Sequence, residues 1–225
     1  ILYNWDSIHQ HNYLPYLEQF DKVYSFDPED CRNNLSIQYM PLFYTRDIHQ
    51  ISKIKKTLNK SIVFVGSYSR YRRYIYIKKM VDYFKKSKII INHYLTIKLI
   101  TYIRIIFEER RLLNFNYFTF YNVNRQKYIK LFTHNDFILD IPNNNQSGLT
   151  MRVIEALGAG KVIITSNKNI LNENFYSKSN VIIFNWDRLN ELEVSLNKFD
   201  FDLVRNNSKI KKYFLPNWLQ RIFND

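Results

Sequence analysis

Glycine and cysteine are scarce in this chain of 225 residues, which contains four glycines and one cysteine. The single Cys31 excludes an internal disulfide and is typical of a reducing compartment, so we expect a cytoplasmic protein. The five histidines, at positions 9, 11, 49, 93 and 134, show no paired-ligand spacing with Cys31. We therefore expect no zinc site and no other metal cofactor.

Long apolar runs and acidic residues are also few. The most apolar stretch, residues 94–107, is interrupted by Lys98 and Arg104, which excludes a membrane-spanning helix there. Lys and Arg number 33 against 20 Asp and Glu, a net charge of +13. This excess favours an anionic partner, which can be a nucleic acid, a membrane surface or a phosphorylated substrate, although a solvated basic surface explains it equally well.

The order of the predicted elements favours an α/β fold with a mostly parallel sheet, because strand patterns alternate with helix patterns. Strand patterns occur at residues 1–5, 22–26, 37–42, 61–65, 88–92, 117–121, 136–141, 162–165 and 181–185. Helix patterns follow Asp27 and occupy residues 69–86, 96–113, 124–132 and 208–223. The predicted organisation is an amino-terminal part (1–45), a linker (46–60), an α/β domain (61–207) and a carboxy-terminal helix (208–225).

Three of the four glycines lie in residues 146–160. A polar loop leads through Gly148 into a short amphipathic helix, and Gly158 and Gly160 end it. A helix that opens at a glycine after a strand offers free N–H groups to a phosphate, and a carboxylate one to two turns inside it reaches an attached ribose. An ordinary, tightly packed αβ unit remains the alternative. The candidate ligand-binding residues of this segment are Gln146, Ser147, Gly148, Leu149, Thr150, Arg152 and Glu155.

A second loop, residues 66–73, follows the strand 61–65. Gly66 allows a tight turn, Ser67 offers a hydroxyl, and Arg72 is positioned to pair with a diphosphate, with Arg70 or Arg73 as substitutes. Solvated arginines at the start of a helix are the alternative. Two aspartates follow strands: Asp6 is a weak candidate for a catalytic base, and Asp140 is interpreted as a turn residue.

Five motifs follow one another along the chain: YNWDS (3–7), FDKVYSFDPEDC (20–31), MPLFY (40–44), VFVGSY (63–68) and QSGLTMRVIEALGAGK (146–161). Together they resemble a family of bacterial glycosyltransferases of lipopolysaccharide core, capsule and exopolysaccharide synthesis. The family is similar to spore-protein glycosyltransferases and to the GT-B fold, which has two facing Rossmann-like domains. The resemblance implies that residues 61–207 bind a nucleotide-sugar donor and that residues 1–45 are the remnant of an amino-terminal domain that binds the acceptor. Since the chain begins at Ile1, we expect an amino-terminally truncated protein.

The resemblance also implies a metal-independent, hexosyl-type transfer from a nucleotide-sugar to a glycan or lipid-linked acceptor. Many retaining relatives carry two glutamates eight residues apart, and Glu155 fits the second while Ser147 stands in place of the first. The stereochemical outcome is therefore open. A non-catalytic nucleotide- or sugar-binding module is an alternative, and a nucleic-acid-binding protein is a weaker one, because no reader motif is present. Peripheral contact with an anionic membrane is compatible with the charge.

Overall fold

The computed structural model describes residues 1–6, 8, 11–54, 60–143, 146–201 and 208–224. Positions outside the described residues include Ser7, His9, and Asn144 and Asn145 of the polar loop before Gly148. Parts of the predicted linker and of the segment before residue 208 also lie outside them. Within the described ranges, every helix is too short or too polar to cross a bilayer.

Three short strands form a small parallel sheet near the amino terminus. They are β1 (Leu2–Asn4), β2 (Val23–Ser25) and β3 (Ile37–Tyr39), in that order, with a 3-10 helix over Leu14–Gln19 before β2. Helix α1 (Pro28–Asn33) connects β2 to β3, and Asp27 caps it by accepting a hydrogen bond from the Glu29 N–H at 3.0 Å. The sequence predicted a helix after Asp27, and the structure places one there. Strand β3 stops short of the predicted Leu42, because Pro41 has no N–H to donate to a sheet ladder.

Six parallel strands form the main sheet. They are β4 (Ser61–Ser67), β5 (Ile90–Thr96), β6 (Phe118–Thr119), β7 (Phe137–Asp140), β8 (Val162–Thr165) and β9 (Val181–Ile183). Their order is β6-β5-β4-β7-β8-β9, and each neighbouring pair is parallel. The chain reverses its direction of winding between β4 and β7, and ligands of such sheets bind outside the carboxyl ends of the strands at this switch point.

Helices cover both faces of the main sheet. They are α2 (Arg46–Ile51), α3 (Tyr71–Phe84), α4 (Leu99–Glu108), α5 (Arg125–His134), α6 (Met151–Gly158), α7 (Leu189–Asn197) and α8 (Leu215–Asn224), with further 3-10 turns at Phe115–Tyr117, Lys168–Asn172 and Ser208–Tyr213. Helices α3, α4 and α7 bury Ile77, Ile105 and Leu192 in one cluster, while α5 and α6 bury Phe132 and Ile154 in another. The second cluster lies on the opposite face of the sheet.

The boundary between β5 and α4 differs from the prediction. The strand pattern indicated residues 88–92 and the helix pattern 96–113, but β5 runs to Thr96 and α4 occupies only Leu99–Glu108. All seven residues of β5 pair with β4, from Ser61 opposite Ile90 to Ser67 opposite Thr96. This long parallel pairing holds the apolar stretch after residue 92 extended, although its composition suits a helix equally well.

The carboxy-terminal segment packs on the amino-terminal part of the chain. Tyr44, just before α2, donates its N–H to the Tyr213 carbonyl at 2.8 Å, and the Leu215 N–H donates to the Tyr44 carbonyl at 2.9 Å. The Trp218 indole donates to the Pro41 carbonyl at 2.8 Å, and its ring lies 4.7 Å from that of Tyr3. The small and large sheets therefore share one continuous core. The domain boundaries given above stay predictions.

The end of α6 follows the glycine pattern. Gly160 has a φ of 67°, a left-handed conformation that glycine adopts without strain. Gly158 has a different reason to be glycine, because a Cβ there would lie 2.5 Å from the ring of the buried Tyr44. The last turn of α6 thus lies so close to Tyr44 that no side chain fits at position 158.

We expect Gly158→Ala to lower the free energy of unfolding by about 1–3 kcal/mol, because the added methyl group overpacks the contact with Tyr44. Urea denaturation at neutral pH measures this change. Asn197→Ala at the exposed end of α7 is the control and should change the free energy by less than about 0.5 kcal/mol. Equal stabilities for the two variants would contradict this close contact.

Candidate functional site

A buried ion pair joins the strands and the helix that meet at the switch point. Arg152 of α6 lies 2.8 Å from Asp140 at the end of β7, and its Nε donates to the Val65 carbonyl of β4 at 3.0 Å. Asp140 is fully buried and also accepts from the hydroxyls of Thr150 at 2.7 Å and Thr165 at 3.0 Å. The sequence indicated a turn residue at Asp140, whereas the structure shows the anchor of this network.

Gly66 lies directly against this ion pair. A Cβ at Gly66 would lie 2.9 Å from Nη2 of Arg152 and 2.9 Å from the ring of Phe64. The guanidinium of Arg152 also sits over the Phe64 ring, 4.9 Å from its centroid. The requirement for glycine at position 66 therefore arises from the packing of Arg152, and both predicted site residues lie at the switch point.

Arg73 ties the two loops of the switch point together. Its guanidinium donates to the Ser67 carbonyl at 2.9 Å, to the Ile141 carbonyl at 3.0 Å and to the Asn143 side-chain oxygen at 2.8 Å. Burial and the nearby charge of Arg152 lower the pKa of Arg73 to about 10, so it remains protonated at neutral pH. Arg73 thus serves as a clamp between the loops, a role that the sequence did not suggest.

The segment Ser147–Thr150 is held by the small sheet. Asp27 accepts hydrogen bonds from the Ser147 N–H at 3.1 Å and from the Ser147 hydroxyl. A Cβ at Gly148 would lie 2.6 Å from the Phe26 carbonyl oxygen, so only glycine fits there. Leu149 is buried, and Thr150 is the residue that precedes α6. The N–H and hydroxyl of Ser147, expected to face a phosphate, are engaged by Asp27 in this structure.

Glu155 lies in a cleft of about 670 Å³ beside α2, α5 and α6. It is buried and accepts hydrogen bonds from Nη1 of Arg125 at 2.9 Å and from the Tyr128 hydroxyl. Burial, together with the Glu155 charge, raises the pKa of Tyr128 well above its usual value. Glu155 does not pair with Arg152, which lies three residues before it on α6 and pairs with Asp140 instead.

Arg125 connects this cleft to the segment that follows the small sheet. Its Nε and Nη2 donate to Asp47 at 2.7 and 2.9 Å, and Nη2 donates to the Thr45 hydroxyl at 2.8 Å. These hydrogen bonds hold the pKa of Asp47 below its usual range. Sequence reasoning missed Arg125, Tyr128 and Asp47. The one available signal was the position of Arg125 next to the cap Asn124, at the start of a helix that follows a strand.

A second cleft, of about 730 Å³, opens between α3 and α7 at the carboxyl ends of β7, β8 and β9. Arg72 lines it and donates to the Tyr76 hydroxyl at 2.6 Å, and the Tyr76 ring stacks on Trp186 with centroids 4.1 Å apart. Gln146 and the cations Lys168 and Arg188 also line this cleft. The predicted site residues thus fall in three places: the switch point, the Glu155 cleft and this Arg72 cleft.

Asp6 lines neither of the two clefts. It follows β1 in a partly exposed turn in which its N–H donates to the Asn4 side chain at 3.4 Å, and His11 lies 3.7 Å from its carboxylate. A better enclosed carboxylate nearby is Asp30, which accepts from Ser25 at 2.9 Å and Tyr13 at 3.2 Å. Burial raises the pKa of Asp30.

Within the ranges that the structure describes, no three His, Cys, Asp or Glu side chains come together in a way that suits a metal ion. The sequence contains one Asp-x-Asp pair, at positions 200 and 202, and Asp202 lies outside the described residues. The metal-independent character expected from the family resemblance stays a prediction.

No protein-family model and no curated protein sequence matches the chain. Its fold is similar to solved glycosyltransferases. The glycosyltransferase from Rickettsia africae gives a TM-score of 0.62 at 11% identity, over 99% of this chain and 67% of that one. HepE from Anabaena, solved in complex with UDP and glucose, gives 0.63 at 11% identity, over 99% and 70%.

An alpha-glucosyltransferase solved in complex with UDP gives a TM-score of 0.61 at 12% identity, over 99% of this chain and 72% of that one. At such identities the likeness shows the fold. The prediction of an α/β, GT-B-like architecture with parallel, Rossmann-like sheets is confirmed. This chain spans about two thirds of the length of these proteins.

We expect Asp140→Ala to lower the free energy of unfolding by about 3–5 kcal/mol, because it leaves the guanidinium of Arg152 buried without its partner. Asp187→Ala is the matched control, since Asp187 forms an exposed pair with Lys79 and should contribute at most about 1 kcal/mol. Chemical denaturation of both variants measures the difference. Similar losses for the two would show that the Asp140 pair does not anchor the switch point.

Proposed function

We propose that this chain carries the donor-binding part of a glycosyltransferase that moves a sugar from a nucleotide-sugar to a cell-surface glycan acceptor, such as lipopolysaccharide, capsule or exopolysaccharide. One observation carries the proposal. Glu155, a buried carboxylate on α6, faces a cleft, and α6 itself begins at the switch point of the sheet. Proteins of similar fold have been solved with UDP, and with UDP and glucose.

The proposed chemistry requires stabilisation of a leaving diphosphate. In glycosyl transfer, positive charge develops on the sugar and negative charge on the departing diphosphate. The amino-terminal end of α6 supplies the positive end of a helix dipole close to Gly66, at the start of the loop that leads to Arg72 in the first turn of α3. These groups act without a metal ion, so we propose a metal-independent transfer of the hexosyl type. Position 147 is a serine and provides no carboxylate, so other groups set the configuration at the transferred carbon.

Glu155 is proposed to hold the ribose of the donor. One of its oxygens accepts from Arg125 and the other from Tyr128. A carboxylate offers about four acceptor positions, so two positions are left for ribose hydroxyls beside these contacts. Arg125 and Tyr128 then serve to orient the carboxylate.

The acceptor is proposed to be a glycan or a lipid-linked glycan at the inner face of the cell membrane. The net charge of +13 supports contact with anionic lipids around such an acceptor. No nucleic-acid partner is proposed. A nucleotide-binding module without transfer is the second candidate, and it shares the binding site but lacks turnover when an acceptor is supplied.

We expect the chain to bind UDP in the presence of EDTA, and Glu155→Gln to weaken this binding by about 1–3 kcal/mol, because a charged acceptor of the ribose hydroxyls is lost. Isothermal titration calorimetry gives both affinities. Glu193→Gln on α7 is the matched control and should leave UDP binding unchanged. Binding that requires Mg²⁺, or equal affinities of wild type and Glu155→Gln, would overturn the proposed site.

We expect Arg72→Ala to weaken the binding of UDP far more than that of uridine, because the lost contact is to the diphosphate. Parallel titrations with the two ligands measure this difference. Arg104→Ala, on the remote surface of α4, serves as the control for a simple loss of positive charge. A parallel loss for UDP and uridine would place Arg72 outside the diphosphate site.

A further inference from the structure

Helix α4 is apolar on both sides. Its inner side buries Tyr102 and Ile105 against the main sheet. Its outer side leaves Ile100 72% exposed and Phe107 76% exposed, with Leu99 and Ile103 also exposed at helical spacing between and beside them. A helix that only covers a sheet carries polar residues on its outer side, so this apolar outer face is not explained by the fold.

Two more exposed apolar side chains follow in the segment after α4. Leu112 is 91% exposed, and Phe115 is exposed while its ring lies 5.9 Å from that of Tyr102 on α4. We call the six residues Leu99, Ile100, Ile103, Phe107, Leu112 and Phe115 the α4 patch. Monomeric proteins seldom leave such a concentration of large apolar side chains in water, and patches of this kind mark sites of association.

The charges around the α4 patch are mainly positive. Residues 98–111 contain the cations Lys98, Arg104, Arg110 and Arg111 and the acids Glu108 and Glu109, which is four positive against two negative charges, a net +2. All six of these side chains belong to exposed residues. Apolar residues on one helix face with flanking Lys and Arg are the pattern of a helix that lies in the plane of a membrane interface.

The charge also favours an anionic bilayer over a second copy of the chain as the partner of the α4 patch. Two copies that met through the α4 patch would bring like charges together, within chains that each carry a net +13. An anionic lipid surface instead attracts both the local cations and the whole chain. We propose that the α4 patch is the surface by which this protein docks on an anionic membrane.

The α4 patch lies on the side of the main sheet opposite the cluster shared with the small sheet. It is nevertheless close to a loop of the switch point, because the guanidinium of Arg111 sits 4.6 Å from the ring centroid of Tyr71, the first residue of α3. Docking through this patch holds the loop 66–70 near the lipid surface. The proposal rests on the membrane contact proposed above, but not on sugar transfer.

Binding of the 225-residue chain to lipid vesicles by co-sedimentation tests this proposal. We expect binding to phosphatidylcholine vesicles that contain about 30% phosphatidylglycerol and much weaker binding to phosphatidylcholine alone. The double variant Ile100→Ser/Phe107→Ser should lower the partition coefficient by about tenfold or more. The matched control is Leu35→Ser/Leu171→Ser, which removes exposed apolar side chains elsewhere and should bind as the wild type does.

Sedimentation velocity and UDP titration complete the test. Vesicle binding that is equal in the two double variants would overturn the proposal. A wild-type dimer that Ile100→Ser/Phe107→Ser converts to a monomer would assign the α4 patch to self-association instead. UDP affinity should be the same in the wild type and in both double variants, so failure of membrane docking is distinguishable from failure of the proposed nucleotide site.

Discussion

The buried ion pair of Arg152 and Asp140 is the constraint on which the rest of the structure depends. It joins the end of β7 to the first turn of α6, and the same guanidinium reaches the backbone of β4. Removing two charges from water is costly, and the cost is offset here because Asp140 also accepts from Thr150 and Thr165. The pair thereby sets the spacing of the two central strands at the switch point.

This constraint divides the neighbouring arginines by role. Arg152 and Arg73 are occupied in holding strands and loops, and Gly66 is glycine because Arg152 needs the space. The proposed site assigns recognition of the ligand to Glu155 with Arg125 on one side and to the Arg72 cleft on the other. A rigid, satisfied core beneath polar rim groups is the arrangement expected of a preorganised binding site.

Local patterns in the sequence were sufficient for much of the fold. The alternation of strands and helices, the Asp27 and Asn124 caps and the left-handed Gly160 all follow from short-range rules and are present in the structure. The contacts that shape the site are long-range. Asp27 and Ser147 are 120 residues apart, and the Arg125–Asp47 contact spans 78 residues. Periodicity carries no information about such pairs, so the clamp of Arg73 and the partners of Glu155 could not be predicted.

The glycines show the same division between local and long-range causes. Gly160 could be explained from the sequence because helix ends favour a left-handed residue. Gly148 and Gly158 are glycine because Phe26 and Tyr44 approach them from distant parts of the chain. An interpretation of Gly148 as a phosphate-facing turn was reasonable from spacing alone, and the structure adds a packing reason that spacing does not reveal.

The central claim is that a nucleoside diphosphate binds across the switch point, and hydrogen–deuterium exchange of the chain with and without saturating UDP tests it most directly. We expect slower exchange at residues 66–73, around Arg125 and at residues 146–155, with little change in α4 and α8. No protection at saturating UDP, or protection confined to elements away from the switch point, would contradict it.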